Sequence, residues 1–381
     1  MVKGIKADIK SHFGTIKDPR KHHSPPHNFM ELIIVALCGV ICGADSWEMI
    51  EEYGKTQEEW LKKKLGLRLS NGIASHDTLG RVFSLINPQE LKESFANWVE
   101  SIREVIGRER VSIDGKKSKR SYDKWTGKKA LHLVSVWASE AGLVLGQEKT
   151  EDKSNEITAI PILLEMLVLK GCIVTIDAMG CQTEIAHKIV EQEADYILAL
   201  KKNQKDLYQE TQATFEECLK SDFAQVDFDF AQTIEKSHGR IETRRCWVIN
   251  DPQIIAYLDP QAKWTNFKSI ILLQSQRRIG SKVSTQTRYF ISSLSGNAKI
   301  INRAIRLHWG IENKLHWVLD VVFRDDYSRI RQGHAPQNFA ILRHLALNLL
   351  RRHNGAGSIR SKRFKSALKP SLLLDILSNF T

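Results

Sequence analysis

Apolar positions follow helical spacing as far as about residue 105 and strand spacing from Arg110 onward. Residues 29–43 are dense in Leu, Ile, Val and Ala, and Trp47, Ile50, Tyr53 and Trp60 follow at a loose helical repeat. Ser75-His-Asp-Thr-Leu79 starts another segment, carrying Val82, Phe83 and Leu85, which Pro88 punctuates. Residues 91–106 present Phe95, Trp98, Val99, Ile102 and Ile106 on an apolar face. No strand signal interrupts this stretch, so the first part of the chain is predicted to be helical.

From Arg110 the pattern changes. VSID (111–114), LHLVSVWAS (131–139) and LVLGQEKT (143–150) read as three consecutive antiparallel strands. Helical spacing returns over 155–170, with Gly171 as a plausible C-cap, and again over 182–193 and 203–220. Between these helices, CIVTID (172–177) and DYILAL (195–200) are apolar strands. The order β-β-β-α-β-α-β-α describes an α/β fold built on an RNase H-like mixed sheet flanked by helices. Residues 221–297 hold β-type runs separated by His238-Gly239, Asn250-Asp-Pro and Gly280-Ser, and read as a β-rich insertion. Helices return over 302–319 and 337–352, and a Gly break then leads into a basic segment.

Length and composition narrow the picture. At ~150 residues per domain, 381 residues suggest two or three domains, or one with a large insertion. The 42% apolar and 26% charged content excludes global disorder. A net charge of +12 favours a polyanionic partner, of which nucleic acid is the commonest. The longest apolar run (32–44) is shorter than the roughly 18–20 residues of a bilayer span, so no membrane anchor is expected. MVKGIKADIKSHFG has no apolar stretch of the kind a secretory signal needs. Cys38, Cys42, Cys172, Cys181, Cys218 and Cys246 form no CxxC pair, which fits a reducing cytosol. His22, His23 and His27 have no cysteine or acid at ligand spacing and do not read as a zinc site. No GxxxxGK[ST], GxSxG or HExxH occurs.

Acids that interrupt apolar strands carry the candidate chemistry. Asp114 ends VSID and Asp177 ends IVTID. An acid at the end of a central strand costs stability unless a charge or metal compensates it. Two such strands side by side would bring both carboxylates together, and divalent cations would relieve their repulsion. Either Asp alone also reads as a cap of the following turn. A third acid is expected from a later helix. Glu312, in RLHWGIENKLHWVLD (306–320), is the candidate, with Asp320, Asp325 and Asp326 as rivals; a surface pairing of Glu312 with Lys314 or Arg306 is the plainer account.

Several segments together carry a family resemblance: IDGKKSKRS (113–121), TIDAMGCQ (175–182), LALKKNQ (198–204), HGRIETR (238–244) and HWGIENKLHWVLDVVFRDD (308–326). With 18–50 they resemble the DDE transposases of bacterial insertion sequences, in the branch of the H-repeat-associated proteins. The resemblance implies a catalytic, metal-binding triad of Asp114, Asp177 and Glu312, with Mg²⁺ as cofactor and Mn²⁺ as a substitute. It implies an N-terminal helical domain (1–105) for DNA-end recognition or dimerisation. The catalytic core would run over 106–220 and 298–352, interrupted by the insertion at 221–297 and followed by a basic tail at 353–381. Related transposases carry Tyr-x-x-Arg ahead of the Glu and Lys seven residues after it. Here Ile305, His308 and Leu319 stand in those places, so His308 takes the position of the phosphate-gripping Arg.

The expected partner is DNA, both the element's terminal repeats and its target, bound by a cytoplasmic, nucleoid-associated homodimer. Lys116, Lys117, Lys119 and Arg120 directly follow the first acid, and Lys201 and Lys202 leave a strand at the same sheet edge. With Arg240 and His308 they are the candidate DNA contacts, against the reading of a solvated basic surface. Trp309 and Trp317 are expected to pack in the core, with stacking on a flipped base as the alternative. The alternatives to a transposase are a nuclease of the same fold and a silent DNA-binding relic.

Overall fold

The computed structural model describes residues 2–21, 25–103, 109–122, 127, 129–150, 156–237 and 239–380. His22, His23 and His238 lie outside the described residues. The first part of the chain is helical: α1 (Val2–Phe13), α2 (Phe29–Ile41), α3 (Trp47–Leu65), α4 (His76–Leu85) and α5 (Pro88–Ile102). Short polar side chains start these helices. Asn28, Ser46, Ser75 and Asn87 each accept a backbone N–H of the first turn, and Pro88 sits where no N–H is needed. Helix α2 is buried all round, which explains its lack of a polar face. Among the described residues no helix is long and apolar enough to cross a membrane.

Three strands follow, β1 (Arg110–Lys117), β2 (His132–Ala138) and β3 (Leu143–Lys149), then α6 (Glu156–Glu165), β4 (Ile173–Ile176), α7 (Thr183–Glu191), β5 (Asp195–Leu200) and α8 (Lys205–Lys220). β1 pairs antiparallel with β2 and β2 with β3, while β4 runs parallel to both β1 and β5. The order β3-β2-β1-β4-β5 is the RNase H-like mixed sheet. Helix α6 is shorter than its sequence pattern. The chain leaves it through tight turns, Met166 N–H to Leu163 O and Leu167 N–H to Leu164 O, before Gly171 adopts a left-handed φ of +74°.

The next strands are β6 (Phe228–Ser237), β7 (Arg240–Ile249), β8 (Ser269–Ile279) and β9 (Lys282–Ser292), with α9 (Pro252–Leu258) between β7 and β8. They extend the same sheet. β9 pairs with β5, giving nine strands in the order β3-β2-β1-β4-β5-β9-β8-β7-β6. Helix α9 arises where Asn250-Asp-Pro reads as a plain break. Asp251 caps it by accepting from the Gln253 and Ile254 N–H groups, with Pro252 in its first turn.

Helix α10 (Ala298–Gly310) lies on the face built by β4, β5, β7, β8 and β9, burying Ala298, Ile301, Ala304 and Ile305 against Ile173, Ile197, Val248, Ile271 and Phe290. A π-helical turn (Ile311–His316) joins it to α11 (Trp317–Val321). Helix α12 (Ala335–Arg352) is buried along most of its length and binds the two halves together. Its Asn338 amide donates to Phe83 O and Ile86 O, and its Asn348 amide exchanges two hydrogen bonds with Val144 of β3. The last segment is not a free basic tail. α13 (Ile359–Leu368) and α14 (Pro370–Leu377) pack on the helical part, and the Arg363 guanidinium is buried against the Phe323 ring and Val40 O.

Candidate active site

Register places the first two acids. Ile113 of β1 and Ile176 of β4 are paired in a parallel ladder, and Asp114 and Asp177 are the next residue on each strand. Adjacent strands lie about 4.8 Å apart, so the two acids emerge as neighbours where β4 ends. Asp177 does cap a turn, accepting the Met179 N–H at 3.1 Å. It also lines a cleft of about 800 Å³ with Asp114 and Glu312. Asp177 therefore caps the turn and faces the cleft at once.

The third acid comes from the π-helical turn. Within that turn His316 is buried beside the first acid while Glu312 stays exposed at the cleft, a helical irregularity of a kind that recurs at functional sites. His316 Nδ1 lies 3.1 Å from Glu312 Oε2 and 3.6 Å from Asp114 Oδ2. One potential ligand atom from each of Asp114, Glu312 and His316 falls within 4.8 Å of the others. Burial lowers the His316 pKa, against the pull of Glu312. The rivals Asp320, Asp325 and Asp326 do not line the cleft. They surround Lys116 instead, at 2.6, 2.9 and 3.5 Å.

The electrostatics are those of crowded carboxylates. Burial first, then the charges of Glu156, Asp177 and Glu312, push Asp114 up to about 7, against a stabilising Gly115 N–H. Asp177 is raised by burial and by Glu156, and Lys201 and the Gly180 and Met179 N–H groups oppose the rise. A cation at such a site would reverse both shifts.

The predicted DNA contacts divide by position. Lys201 and Lys202 are exposed and line the cleft. Lys117, Lys119 and Arg120 are exposed, with Lys119 paired to Asp326 at 2.7 Å and Arg120 over the Tyr327 ring. Lys116 is mostly buried, and its charge is matched by three carboxylates. Arg240 pairs with Glu242 at 2.9 Å and lines a second groove along the far part of the sheet. His308 lines the cleft beside Thr175, Oγ1 to Nδ1 3.0 Å; burial, helped by Arg288 and His316, lowers it to about 4. His308 is therefore neutral at neutral pH.

Residues 105–349 match the family model described as Transposase DDE domain, and residues 10–99 match the one described as DDE_Tnp_1-associated. This chain belongs to the DDE transposase family. It is 40% identical over 376 residues to "Putative transposase YncI" of Escherichia coli O157:H7, covering 97% of this chain and 94% of that one. It is 38% identical over 375 residues to "H repeat-associated putative transposase YhhI" of Escherichia coli K12, covering 97% of each. "Inactive transposase YbfQ" of the same strain is 34% identical over 76 residues, 20% of this chain and 88% of that one. Among solved structures, a piggyBac transposase synaptic complex with hairpin DNA aligns with a TM-score of 0.41 and 10% identity, over 100% of this chain and 77% of that one.

In this DDE family member, three residues that the sequence pattern passed over stand at or near these acids. Glu156 reads as an ordinary first-turn helix acid. His316 is one of two histidines on an aromatic-rich helix. Arg288 sits in TQTRYF, an unremarked position of a β-type run. Its guanidinium lies 4.7 Å from the Trp309 ring centroid and reaches the cleft from the extended sheet. Burial lowers its pKa, and no carboxylate among the described residues pairs with it. Trp309 and Trp317, expected in the core, are 42% and 55% exposed. They lie on the side of the helix that Ile311 and Leu315 leave open, because those two residues fill the core.

Proposed function

We propose that this protein is the transposase of a bacterial insertion sequence, cutting the element's ends and joining them to target DNA. The observation that carries the reading is a cleft shared by Asp114, Asp177 and Glu312 in a member of the DDE family. The donor set fits a hard divalent cation. It is built of carboxylate oxygens, and burial with neighbouring carboxylate charge raises Asp114 and Asp177. Asp114, Asp177 and Glu312 would hold two Mg²⁺ ions, with Mn²⁺ as a substitute. When bound, the ions supply Lewis-acid activation of the attacking water or 3′-hydroxyl and charge stabilisation at the leaving oxygen.

The protein's own groups do the positioning. His316 orients the Glu312 carboxylate through its hydrogen bond. Lys201, Lys202 and Arg288 bring positive charge to phosphates entering the cleft. Arg288 takes the place of the charge that neutral His308 lacks. Lys117, Lys119 and Arg120 extend the basic surface beyond the first acid, and Arg240 the groove along the far sheet. Residues 1–105 recognise the element's ends or support dimerisation. Two ends require two active sites, so the working form is a homodimer on DNA, at the nucleoid in the cytoplasm.

The test is a cleavage and strand-transfer assay on labelled DNA carrying the flanking terminal repeats, with Mg²⁺ or Mn²⁺. Joined products are expected from wild type, and none from Asp114→Asn, Asp177→Asn or Glu312→Gln, all three still binding DNA. Cleavage without joining supports a nuclease of the same fold. DNA binding with neither activity supports a silent relic of a mobile element.

A further inference from the structure

We propose that Glu156 is a fourth carboxylate of the active site, helping Asp114 and Asp177 hold divalent cations. This inference rests on the metal-dependent reading above and adds a residue to it. Glu156 opens α6, the helix that follows β3, and its side chain is 11% exposed. His132 Nε2 on β2 holds the carboxylate at 3.0 Å.

Gly115, next to the first acid, shows how close Glu156 comes to the backbone of β1. A Cβ on Gly115 would collide with the Glu156 carboxylate and with His132 Nε2. The Asp-Gly pair is thus an acid followed by the space that a second acid occupies. The Glu156 charge acts on both Asp114 and Asp177.

A first-turn acid gains from the helix dipole, but an exposed position would supply that gain without crowding. Two divalent cations carry as much positive charge as four carboxylates carry negative. A carboxylate beside the first ligands raises affinity through its charge and by fixing their positions.

The experiment measures Mn²⁺ binding to the full chain by electron paramagnetic resonance, with Tm recorded in chelator. Glu156→Gln keeps the shape and removes the charge. It is expected to weaken Mn²⁺ binding about 10- to 100-fold, while Tm in chelator holds or rises. Gly115→Ala, which displaces the carboxylate, is expected to weaken binding likewise. Glu165→Gln, at the exposed end of the same helix, is expected to bind as wild type.

Unchanged Mn²⁺ affinity in Glu156→Gln, with Asp177→Asn impaired, overturns the assignment and leaves the triad standing. So does a loss of affinity that comes only with a lower Tm, which marks a structural role. If Asp114→Asn and Asp177→Asn also bind as wild type, the metal-site reading fails and the Glu156 assignment fails with it.

Discussion

Lys116, two residues past Asp114 on β1, reaches Asp325 at 2.9 Å, in the segment beyond the Glu312 helix. The contact ties the strand of the first acid to the element that carries the third. Ser118 Oγ donates to the same Asp325 carboxylate at 2.6 Å, and Arg343 of α12 pairs with its other oxygen. Removing Lys116 would leave Asp320, Asp325 and Asp326 facing one another. Breaking a buried ion pair by deleting one partner costs about 3–5 kcal/mol. Lys116→Ala is therefore expected to lose that much in urea unfolding, whereas exposed Lys117→Ala stays within ~0.5 kcal/mol of wild type. A Lys116→Ala protein of full stability but poor DNA affinity would return Lys116 to the DNA surface.

The two ends of this network titrate in opposite directions. Burial raises Asp325, but Arg343, Lys116 and Ser118 outweigh it and hold the carboxyl at about 2. Unfolded Asp titrates near ~3.9, so this group stabilises the fold above that pH and loses its contribution as pH falls towards 2. Asp114 is raised to about 7, so the folded state holds its proton more tightly than the unfolded state. Its effect on metal-free stability is absent below roughly pH 4 and grows increasingly unfavourable as pH rises towards 7. In chelator, the Tm of Asp114→Asn relative to wild type is expected to climb from pH 5 to pH 8. Asp325→Asn is expected to differ most from wild type at neutral pH and to converge with it near pH 2. Calorimetric scans across that range check both signs.

Much of this architecture was legible because alternation and β-branched runs are local signals. The strands that lead to Asp114 and Asp177 could be read directly, although β1 runs on through Asp114 to Lys117, and the adjacency of the two strands followed from the β order. The π-helical turn could not be read, since the apolar spacing around Ile311 and Leu315 also suits an unbroken α-helix. Glu156 and Gly115 meet only through the packing of α6 on the sheet, a contact that no sequence spacing encodes. Lys116 and Lys117 look alike in the sequence. They differ because one side chain points to three aspartates and its neighbour to solvent.

The end of the chain makes the same point in apolar terms. A Gly break followed by basic residues reads as a basic tail, yet Phe380 is 1% exposed. Its ring stacks on Trp98 at 4.8 Å, and the Trp98 indole donates to Phe380 O at 2.7 Å. Emptying a buried Phe site costs about 3–5 kcal/mol. Phe380→Ala is expected to lose stability on that scale and to lower the Tm of the helical part. Exposed Phe364→Ala should leave the unfolding midpoint nearly where it was. Equal midpoints for both variants would mean that the last helices do not dock in solution.

Arg288 and Trp309 stand at the join between the acidic cleft and the groove along the extended sheet, and they line both. The indole face fixes the guanidinium plane, and no carboxylate among the described residues neutralises it. Such an arginine suits a phosphate, which carries no sequence information. Arg288→Gln is expected to weaken DNA binding evenly across sequences and to reduce the salt slope by about one. Trp309→Ala should weaken it in the same way, because the freed guanidinium loses its orientation. If the two side chains act as one unit, the double variant binds little worse than either single one. Fluorescence anisotropy at several salt concentrations measures all three. Additive losses would instead assign Trp309 its own contact with DNA, a base stacked on the exposed ring.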